Sequence, residues 1–198
     1  GGFRQSQHRR GAVHAAKTLA LSIVFTLATG LFGLNLQAQT APAAEITAAV
    51  PEARLSGQTL YRYFGFAVYQ IRLFVPPQFN RDDYAKSPFA LELQYQRDFS
   101  GADIAERSLK EMKRASGMTD AQGALWLDKM KALFPNIKEG DKLLGIHQPG
   151  VGARFLFNGK PIGEVKDAEF SRRFFGIWLG SSTSEPALRQ TLLGGAAQ

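Results

Sequence analysis

The stretch YRYFGFAVYQIRLFVPP, residues 61–77, is rich in the aromatic and β-branched residues that favour strands. Its apolar side chains alternate with polar ones, but they shift from even-numbered to odd-numbered positions along the stretch. The apolar positions are Phe64, Phe66 and Val68, followed by Ile71 and Leu73. A bulge or bend near Val68 would move the buried face in this way, and Gly65 makes bending easier. The stretch therefore predicts one long central strand, with polar side chains interleaved along a candidate cleft wall.

Further strand patterns lie on both sides of this stretch. Residues 52–60 predict a strand that joins the opening one around Ser56–Gly57. Residues 89–96, FALELQYQ, alternate with a period of two, which predicts a strand with one core face and one wet face. Three short strands follow within residues 141–165, where Asn158–Gly159 predicts a type I′ hairpin because both residues accept positive φ.

Apolar residues recur at helical spacing in the segments between and after these strands. The pattern predicts helices within residues 100–117, 119–135 and 168–180, and a last short helix that starts near Pro186. The predicted N-caps are Ser100, Thr119, Asp167 and Ser184. This order of strands and helices predicts an α+β fold, with helices packed on one face of a largely antiparallel sheet.

The amino-terminal residues have the composition of an export signal. Residues 1–17 carry four basic residues and no acid, and residues 18–36 carry no charge. A basic region, an apolar region and small residues before a cut after Ala38 or Ala43 form the layout of a secretory signal peptide. We therefore predict a signal peptide over residues 1–38 and a periplasmic or secreted protein. The alternative is an uncleaved anchor, through which alone the protein would contact a membrane.

The remaining chain fits one domain. Residues 39–50 form an Ala-rich lead that we expect to be flexible, and residues 51–195 are enough for a single core. The whole chain has a net charge of +7; without the four basic residues of the signal it is 20 minus 17, or +3. That balance does not indicate a nucleic-acid-binding protein.

The chain has no cysteine and three histidines, of which only His147 follows the predicted signal peptide. Disulfides, zinc ribbons and cysteine nucleophiles are thereby excluded, and we expect neither a metal site nor a cofactor. His147 lies in a strand pattern. At such a position we expect a solvent-facing or hydrogen-bonded histidine rather than a catalytic one.

Four segments, taken in order, resemble the bacterial chalcone isomerase-like proteins. They are LSGQTLYRYFGFAVYQIRLFVP, LELQYQRDFSGADIAERSLKE, FPNIKEGDKLLGIHQPGVGARFLFNGK and FSRRFFGIWLGSSTSEPALRQTLLG. The resemblance covers residues 52–194 and implies an open-faced β-sandwich, in which a large antiparallel sheet and one layer of helices enclose an apolar cleft. In the plant enzymes this cleft cyclises a chalcone to a flavanone; related plastid proteins hold an acyl chain in a similar cleft.

The resemblance also implies where catalytic side chains would lie. The plant enzymes use an arginine before the first core strand, a threonine on that strand and a hydroxyl on the carboxy-terminal helix. The matching positions here are near Pro51, at Tyr63 or Phe64, and at Ile177. None keeps the required residue, and Arg54 reaches the arginine position only after a shift of about three residues, which reverses its face on a strand. Cyclisation builds negative charge on an enolate oxygen, which these residues would not stabilise.

We therefore predict an exported protein that binds a small apolar or acyl ligand without catalysis, because an apolar wall suits binding. Two alternatives stay open: an isomerase of the intramolecular lyase type with a rearranged site and an unknown substrate, and a structural envelope protein without a ligand. The candidate ligand contacts are Arg62, Phe64, Tyr69, Tyr95, Arg97 and Ile177. Each arginine or tyrosine among them could equally be a surface or core residue.

Overall fold

Six antiparallel strands form one sheet in which spatial order follows chain order. The computed structural model describes residues 42–194, so the predicted signal peptide lies outside the described residues. The strands are β1 (Arg54–Tyr63), β2 (Phe66–Val75), β3 (Phe89–Tyr95), β4 (Lys142–Gln148), β5 (Gly152–Phe157) and β6 (Lys160–Val165). Each strand pairs with the next one in the sequence, so β1 and β6 are the edges.

Helices cover both faces of this sheet unequally. The α-helices are α1 (Ala44–Ala49), α2 (Gly101–Met112), α3 (Asp120–Leu133), α4 (Ala168–Leu179) and α5 (Pro186–Leu193), and a short 3₁₀ helix spans Tyr84–Lys86. On one face, α4 packs against β4 and β5, α5 packs against β1, and α2 packs against α3 and α4. This arrangement confirms the predicted α+β fold with an open-faced sandwich. The helices and the sheet each bury one apolar face against the other layer.

The core between the two layers is dominated by aromatic side chains. Phe174 of α4 lies at the centre of a cluster whose rings meet mostly edge to face, with centroids 5.2 to 5.9 Å apart. Its ring partners are Phe134, Phe155, Phe170, Phe175 and Trp178. Burial of each such side chain contributes about 1.5–3 kcal/mol, which fixes α4 on the sheet.

The opposite face of the sheet is partly covered by α1. Ile46 and Val50 are fully buried there against Phe74 and Ala90. Residues 44–50 are thus helical and packed, which differs from the expected flexible lead, because two apolar side chains of the Ala-rich segment pack against an apolar patch on the sheet.

The predicted wet face of β3 is wrong in part. Glu92 on that face is buried and accepts hydrogen bonds from the Arg72 guanidinium, the shortest at 2.7 Å.

The opening stretch of the sequence is a hairpin, so its prediction as one central strand is wrong. Phe64 and Gly65 form the turn, with φ of 47° and 80°, and β1 and β2 run antiparallel on either side. Positive φ at both residues is typical of a type I′ turn. The predicted change of face near Val68 is confirmed, because the register skips Val68 between the Tyr61–Tyr69 and Arg62–Ala67 pairs.

The predicted junction at Ser56–Gly57 is a second bulge inside β1. The Ser56 hydroxyl donates to the Leu192 carbonyl at 2.7 Å, and a Cβ at position 57 would overlap the carbonyl oxygen of Thr191. Gly57 is therefore the place where α5 approaches the edge strand closely. A serine and a glycine indicated a turn in the sequence, whereas here they make a helix contact.

Three of the four predicted caps are confirmed. Ser100 accepts from the Asp103 amide, Thr119 and Gln122 form a capping box, and Asp167 accepts from two amides of α4. The cap at Ser184 is wrong, because α5 has Glu185 at its N-cap without a side-chain bond. The Ser184 hydroxyl instead donates to Glu111 at 2.8 Å.

Two polar residues in the core have structural partners. The His147 ring donates from Nε2 to the Ala85 carbonyl at 2.8 Å and accepts at Nδ1 from the Ser171 hydroxyl at 2.6 Å. Burial lowers its pKa, so the neutral ring is favoured. Arg173 is also buried and donates to two carbonyls in the segment that follows α2, at Ala115 and Ser116. The polar atoms of both buried side chains are thus hydrogen-bonded within the protein, as is usual for polar residues in a core.

Candidate functional site

A cavity of about 560 Å³ lies between the β1–β2–β3 end of the sheet and the helices α2, α4 and α5. The sheet contributes Tyr61, Val68, Tyr69, Leu93 and Tyr95. The helices contribute Ile104, Ser108, Phe174, Ile177, Trp178 and Leu188. Because most of these side chains are apolar, the cavity has a size and a lining that suit a hydrophobic molecule.

A row of aromatic rings crosses the sheet side of this cavity. Tyr61 stacks on Tyr69 with ring centroids 5.1 Å apart, Tyr69 meets Tyr95 edge to face at 5.7 Å, and Tyr95 meets Phe99 at 5.5 Å. Cross-strand pairing produces the row, since Tyr61 pairs with Tyr69 and Tyr69 pairs with Tyr95 in the sheet register. The three hydroxyls are thus held on neighbouring strands of a rigid sheet.

The Tyr69 hydroxyl is oriented by α4. The indole Nε1 of Trp178 donates to the Tyr69 oxygen at 2.9 Å. Among residues 42–194 no acceptor takes the proton of that hydroxyl. Burial raises the pKa of Tyr69 well above its usual value, so the group stays a neutral donor.

The Tyr95 hydroxyl has no hydrogen-bond partner within the described part of the chain, although only 5% of the residue is exposed. Burial raises its pKa, and no charged neighbour contributes to that shift. The oxygen borders the cavity and is not one of the fully buried atoms without a partner, so it stays accessible to a ligand or to water. Tyr69 and Tyr95 therefore present two neutral donors to the cavity, and no acceptor among residues 42–194 takes either proton.

Three acidic residues line the cavity; Glu111 and Glu185 are paired, whereas Asp103 is exposed to solvent and has no ion-pair partner among residues 42–194. Tyr61 donates to Glu185 at 3.1 Å, and burial together with that carboxylate raises the pKa of Tyr61 to about 12. Glu111 accepts from the Ser184 hydroxyl and forms an ion pair with Arg107 at 3.2 Å. Neither carboxylate is placed as a free general base.

Two arginines lie over aromatic rings at the outer end of the cavity. The Arg97 guanidinium is 5.0 Å from the ring centroid of Phe66, and that of Arg107 is 5.5 Å from the ring of Tyr63. Arg97 forms no ion pair with any residue that the structure describes; the adjacent Asp98 pairs instead with Lys138 at 3.1 Å. This end of the cavity is aromatic and positively charged.

Five of the six predicted ligand contacts lie on the cavity, and their contact with a ligand stays a prediction. The five are Phe64, Tyr69, Tyr95, Arg97 and Ile177. Arg62 does not line the cavity, because its guanidinium turns back to the hairpin and donates to the Gly65 carbonyl at 3.1 Å. The sequence prediction placed Arg62 on one continuous strand, whereas the chain reverses at Phe64–Gly65 and brings the Gly65 carbonyl within reach of the Arg62 side chain.

Several lining residues were not predicted from the sequence. Tyr61 belongs to the site because β1 folds back on β2, and recognising Phe64–Gly65 as a turn would have revealed the pairing with Tyr69. Trp178 lies on the apolar face of α4, and the spacing of that face does not show which of its residues border a cavity. Arg107 and Glu111 lie one turn apart on α2, where helical spacing gives no sign of a cavity.

The positions that match the family's catalytic residues lack its chemistry. Phe64 and Ile177 line the cavity with hydrocarbon, and Tyr63 at the outer end lies under Arg107. Pro51 precedes β1 and is not part of the lining. Within residues 42–194 no group of three acidic, histidine or cysteine side chains could hold a metal ion. The same residues contain no helix that is long and apolar enough to cross a bilayer.

Fold and cavity together define a class: α+β proteins whose open-faced sandwich encloses an apolar cavity. The chain belongs to the chalcone isomerase-like family, whose sequence model matches residues 36–194. It is 30% identical over 138 residues to an uncharacterized protein from Haemophilus influenzae, a match that covers 70% of this chain and 66% of that protein. Its fold is similar to the crystal structure of a fatty-acid binding protein from Arabidopsis thaliana, with a TM-score of 0.61 and 16% identity, covering 80% of this chain and 97% of the other.

Proposed function

We propose that the protein is an exported, non-catalytic binder of a small apolar ligand that carries an oxygen acceptor. The observation that carries this proposal is the pair of phenol groups, Tyr69 and Tyr95, whose protons face an apolar cavity without an acceptor in the described chain. A ligand oxygen between or beside them would satisfy both donors.

The cavity favours a carbonyl or carboxyl oxygen on a hydrocarbon body. The lining next to the two phenols is apolar, with Leu93, Phe174 and Leu188 within it. Such a lining stabilises the body of a ligand by about 25 cal/mol per Å² of buried apolar surface. An acyl or aromatic compound has both parts, and the fold's likeness to a protein titled fatty-acid binding supports the acyl choice.

A second candidate is an isomerase with a rearranged site. The same two phenols could stabilise an enolate oxygen, since donors aimed at a developing charge are what such a step needs. The reaction also needs a proton acceptor; Glu111 and Glu185 are held by other groups, and Asp103, the third carboxylate of the lining, is exposed to solvent. Binding without turnover therefore agrees better with the arrangement.

Native mass spectrometry of protein recovered from a periplasmic extract tests the binder directly. We expect an added mass that organic solvent releases as a lipid or aromatic compound. A bare protein that also fails to bind dodecanoic acid in a titration would contradict the proposal. The amino-terminal residue of the recovered protein tests export, with a start after Ala38 or Ala43 expected.

A panel of chalcones and other enones separates the two candidates. A binder gives no rate above the uncatalysed background with any of them. A rate that is lost in Tyr69→Phe and Tyr95→Phe, while both variants keep their melting temperature, would favour the isomerase.

A further inference from the structure

Three aromatic side chains at one end of the sheet are exposed to solvent. Tyr63 ends β1, Phe64 lies in the turn and Phe66 begins β2, and their exposed fractions are 46%, 84% and 61%. Tyr63 and Phe64 contact each other edge to face with ring centroids 4.6 Å apart. We call these three residues the aromatic tip. Adjoining exposed apolar side chains of this kind mark an interaction surface more often than isolated ones do.

The backbone at the tip is unfavourable for the residue that occupies it. Phe64 has φ of 47°, in the left-handed region that asparagine or glycine accepts and a bulky side chain does not. A type I′ turn is most stable with Asn–Gly, yet the chain has Phe–Gly here. Neither the turn nor the core explains an aromatic residue at this position, so its exposed side chain is the feature that needs a partner.

Positive charge surrounds the aromatic tip. Arg97 lies over Phe66 and Arg107 lies over Tyr63, and both arginines are exposed. Arg62 is exposed as well, and one of its nitrogens donates to the Gly65 carbonyl of the turn. Arg107 is paired with Glu111, but within residues 42–194 no carboxylate pairs with Arg97 or Arg62. The surface therefore combines aromatic rings with net positive charge.

We propose that the aromatic tip and its arginines dock the protein on an anionic phospholipid bilayer. Aromatic side chains settle at headgroup depth, and arginines near them are attracted to anionic lipid. Three side chains are too small a surface for a stable protein interface, which needs about 800 Å² per partner. Docking goes beyond ligand binding and follows from the exposed side chains alone.

The position of the tip also relates docking to the cavity. Tyr63, Phe64 and Phe66 belong to the lining of the cavity as well as to the exposed surface. A docked tip would turn the outer end of the cavity toward the lipid. If the proposed function holds, an apolar ligand could pass between bilayer and cavity without crossing water.

Vesicle flotation tests docking with a fragment of residues 39–198, the chain that follows the predicted cut after Ala38, so that the apolar residues 18–36 are absent. Vesicles of phosphatidylcholine with phosphatidylglycerol are compared with vesicles of phosphatidylcholine alone. We expect binding to the anionic vesicles that weakens at high salt. The double variant Phe64→Ser/Phe66→Ser should reduce the bound fraction at least about tenfold. Leu125→Ser, which removes a 52% exposed leucine on α3, should not reduce it.

A third variant separates docking from uptake of lipid into the cavity. Ile177→Trp narrows the cavity without changing the aromatic tip, so it should weaken dodecanoic acid binding and keep vesicle binding. If the wild-type fragment binds vesicles but no dodecanoic acid, the proposed function fails and docking stands. If it binds the acid but stays away from all vesicles, docking alone fails.

Two further results would overturn docking. Flotation of Phe64→Ser/Phe66→Ser with anionic vesicles as full as that of the wild type would show that other residues carry the binding. The second result is a wild-type dimer in analytical ultracentrifugation that the double variant converts to a monomer. The aromatic tip would then be an interface between copies of this chain.

Discussion

The indole nitrogen of Trp178 donates a hydrogen bond to the phenolic oxygen of Tyr69 at 2.9 Å, across the boundary between α4 and the sheet. This bond occupies the oxygen of Tyr69 as an acceptor and leaves its proton for another group. The ring of Tyr95 lies 5.7 Å from that of Tyr69, measured between centroids. No acceptor among the described residues takes the proton of its hydroxyl. One helix residue and two neighbouring strands therefore position the two phenol donors of the cavity.

Trp178→Phe should weaken ligand binding through loss of this orientation. Without the indole donor, the Tyr69 hydroxyl can rotate, and we expect affinity for dodecanoic acid to fall a few-fold along with about 1 kcal/mol of stability. Calorimetric titration and urea denaturation measure the two effects. Trp126→Phe is the matched control, because it loses an indole bond of 2.9 Å to Asp167 outside the cavity. Equal loss of affinity in both variants would contradict the orienting role.

Phe64→Asn should stabilise the protein. Asparagine accepts the positive φ of this turn position and precedes glycine in the preferred type I′ pair, so we expect a gain of about 0.5–1 kcal/mol in the free energy of unfolding. Thermal denaturation measures it. Phe66→Asn, at a strand position, should give no such gain. A lower melting temperature for Phe64→Asn would show that the phenyl ring stabilises the fold through its contact with Tyr63.

Gly57→Ala should destabilise the protein strongly. The new methyl group would overlap backbone atoms of Thr191 and Leu192, so α5 must move away from β1 at a cost of about 2–4 kcal/mol. Urea denaturation gives the difference. Gly194→Ala is the control, because a Cβ there meets no atom within 4 Å. An unchanged midpoint for Gly57→Ala would mean that α5 packs less closely than described.

His147 should make stability fall in mild acid. Burial lowers its folded-state pKa below the unfolded value of 6.5, so the unfolded chain binds more protons as pH falls through that value and the folded state loses stability. Urea midpoints from about pH 8 to about pH 5 should decline in the wild type and decline less in His147→Gln. Ser171→Ala retains the imidazole and should keep the decline. Parallel curves for wild type and His147→Gln would refute this assignment.

The sequence predicted the layers of the fold because hydrophobic period and caps are local signals. Ser100, Thr119 and Asp167 each bond amides two or three residues away, so their role is visible in a short window. The hairpin at Phe64–Gly65 was missed because phenylalanine is not a residue that turns prefer. Ser56–Gly57 lies inside β1, where both residues contact α5. That contact joins residues far apart in the sequence, so no local pattern could show it.

The candidate site was predicted less completely for a related reason. Tyr69 and Tyr95 were found because they stand on strands that the resemblance places at the cleft, and Arg97 because it lies just beyond Tyr95, the last residue of β3. Tyr61 and Trp178 enter the site through strand pairing and helix packing, which depend on contacts between distant residues. The placement of α1 over the second sheet face was likewise decided by Ile46 and Val50 meeting Phe74, a long-range contact.

Binding of dodecanoic acid to wild type, Tyr95→Phe and Tyr84→Phe compares a phenol that faces the cavity with a phenol that does not. Both variants lose one hydroxyl, but Tyr84 donates to the Arg172 carbonyl outside the cavity, at 2.7 Å. The proposed binding mode predicts that titration gives an affinity about tenfold weaker for Tyr95→Phe and unchanged for Tyr84→Phe. Equal affinities for all three proteins, or no binding by the wild type, would contradict it.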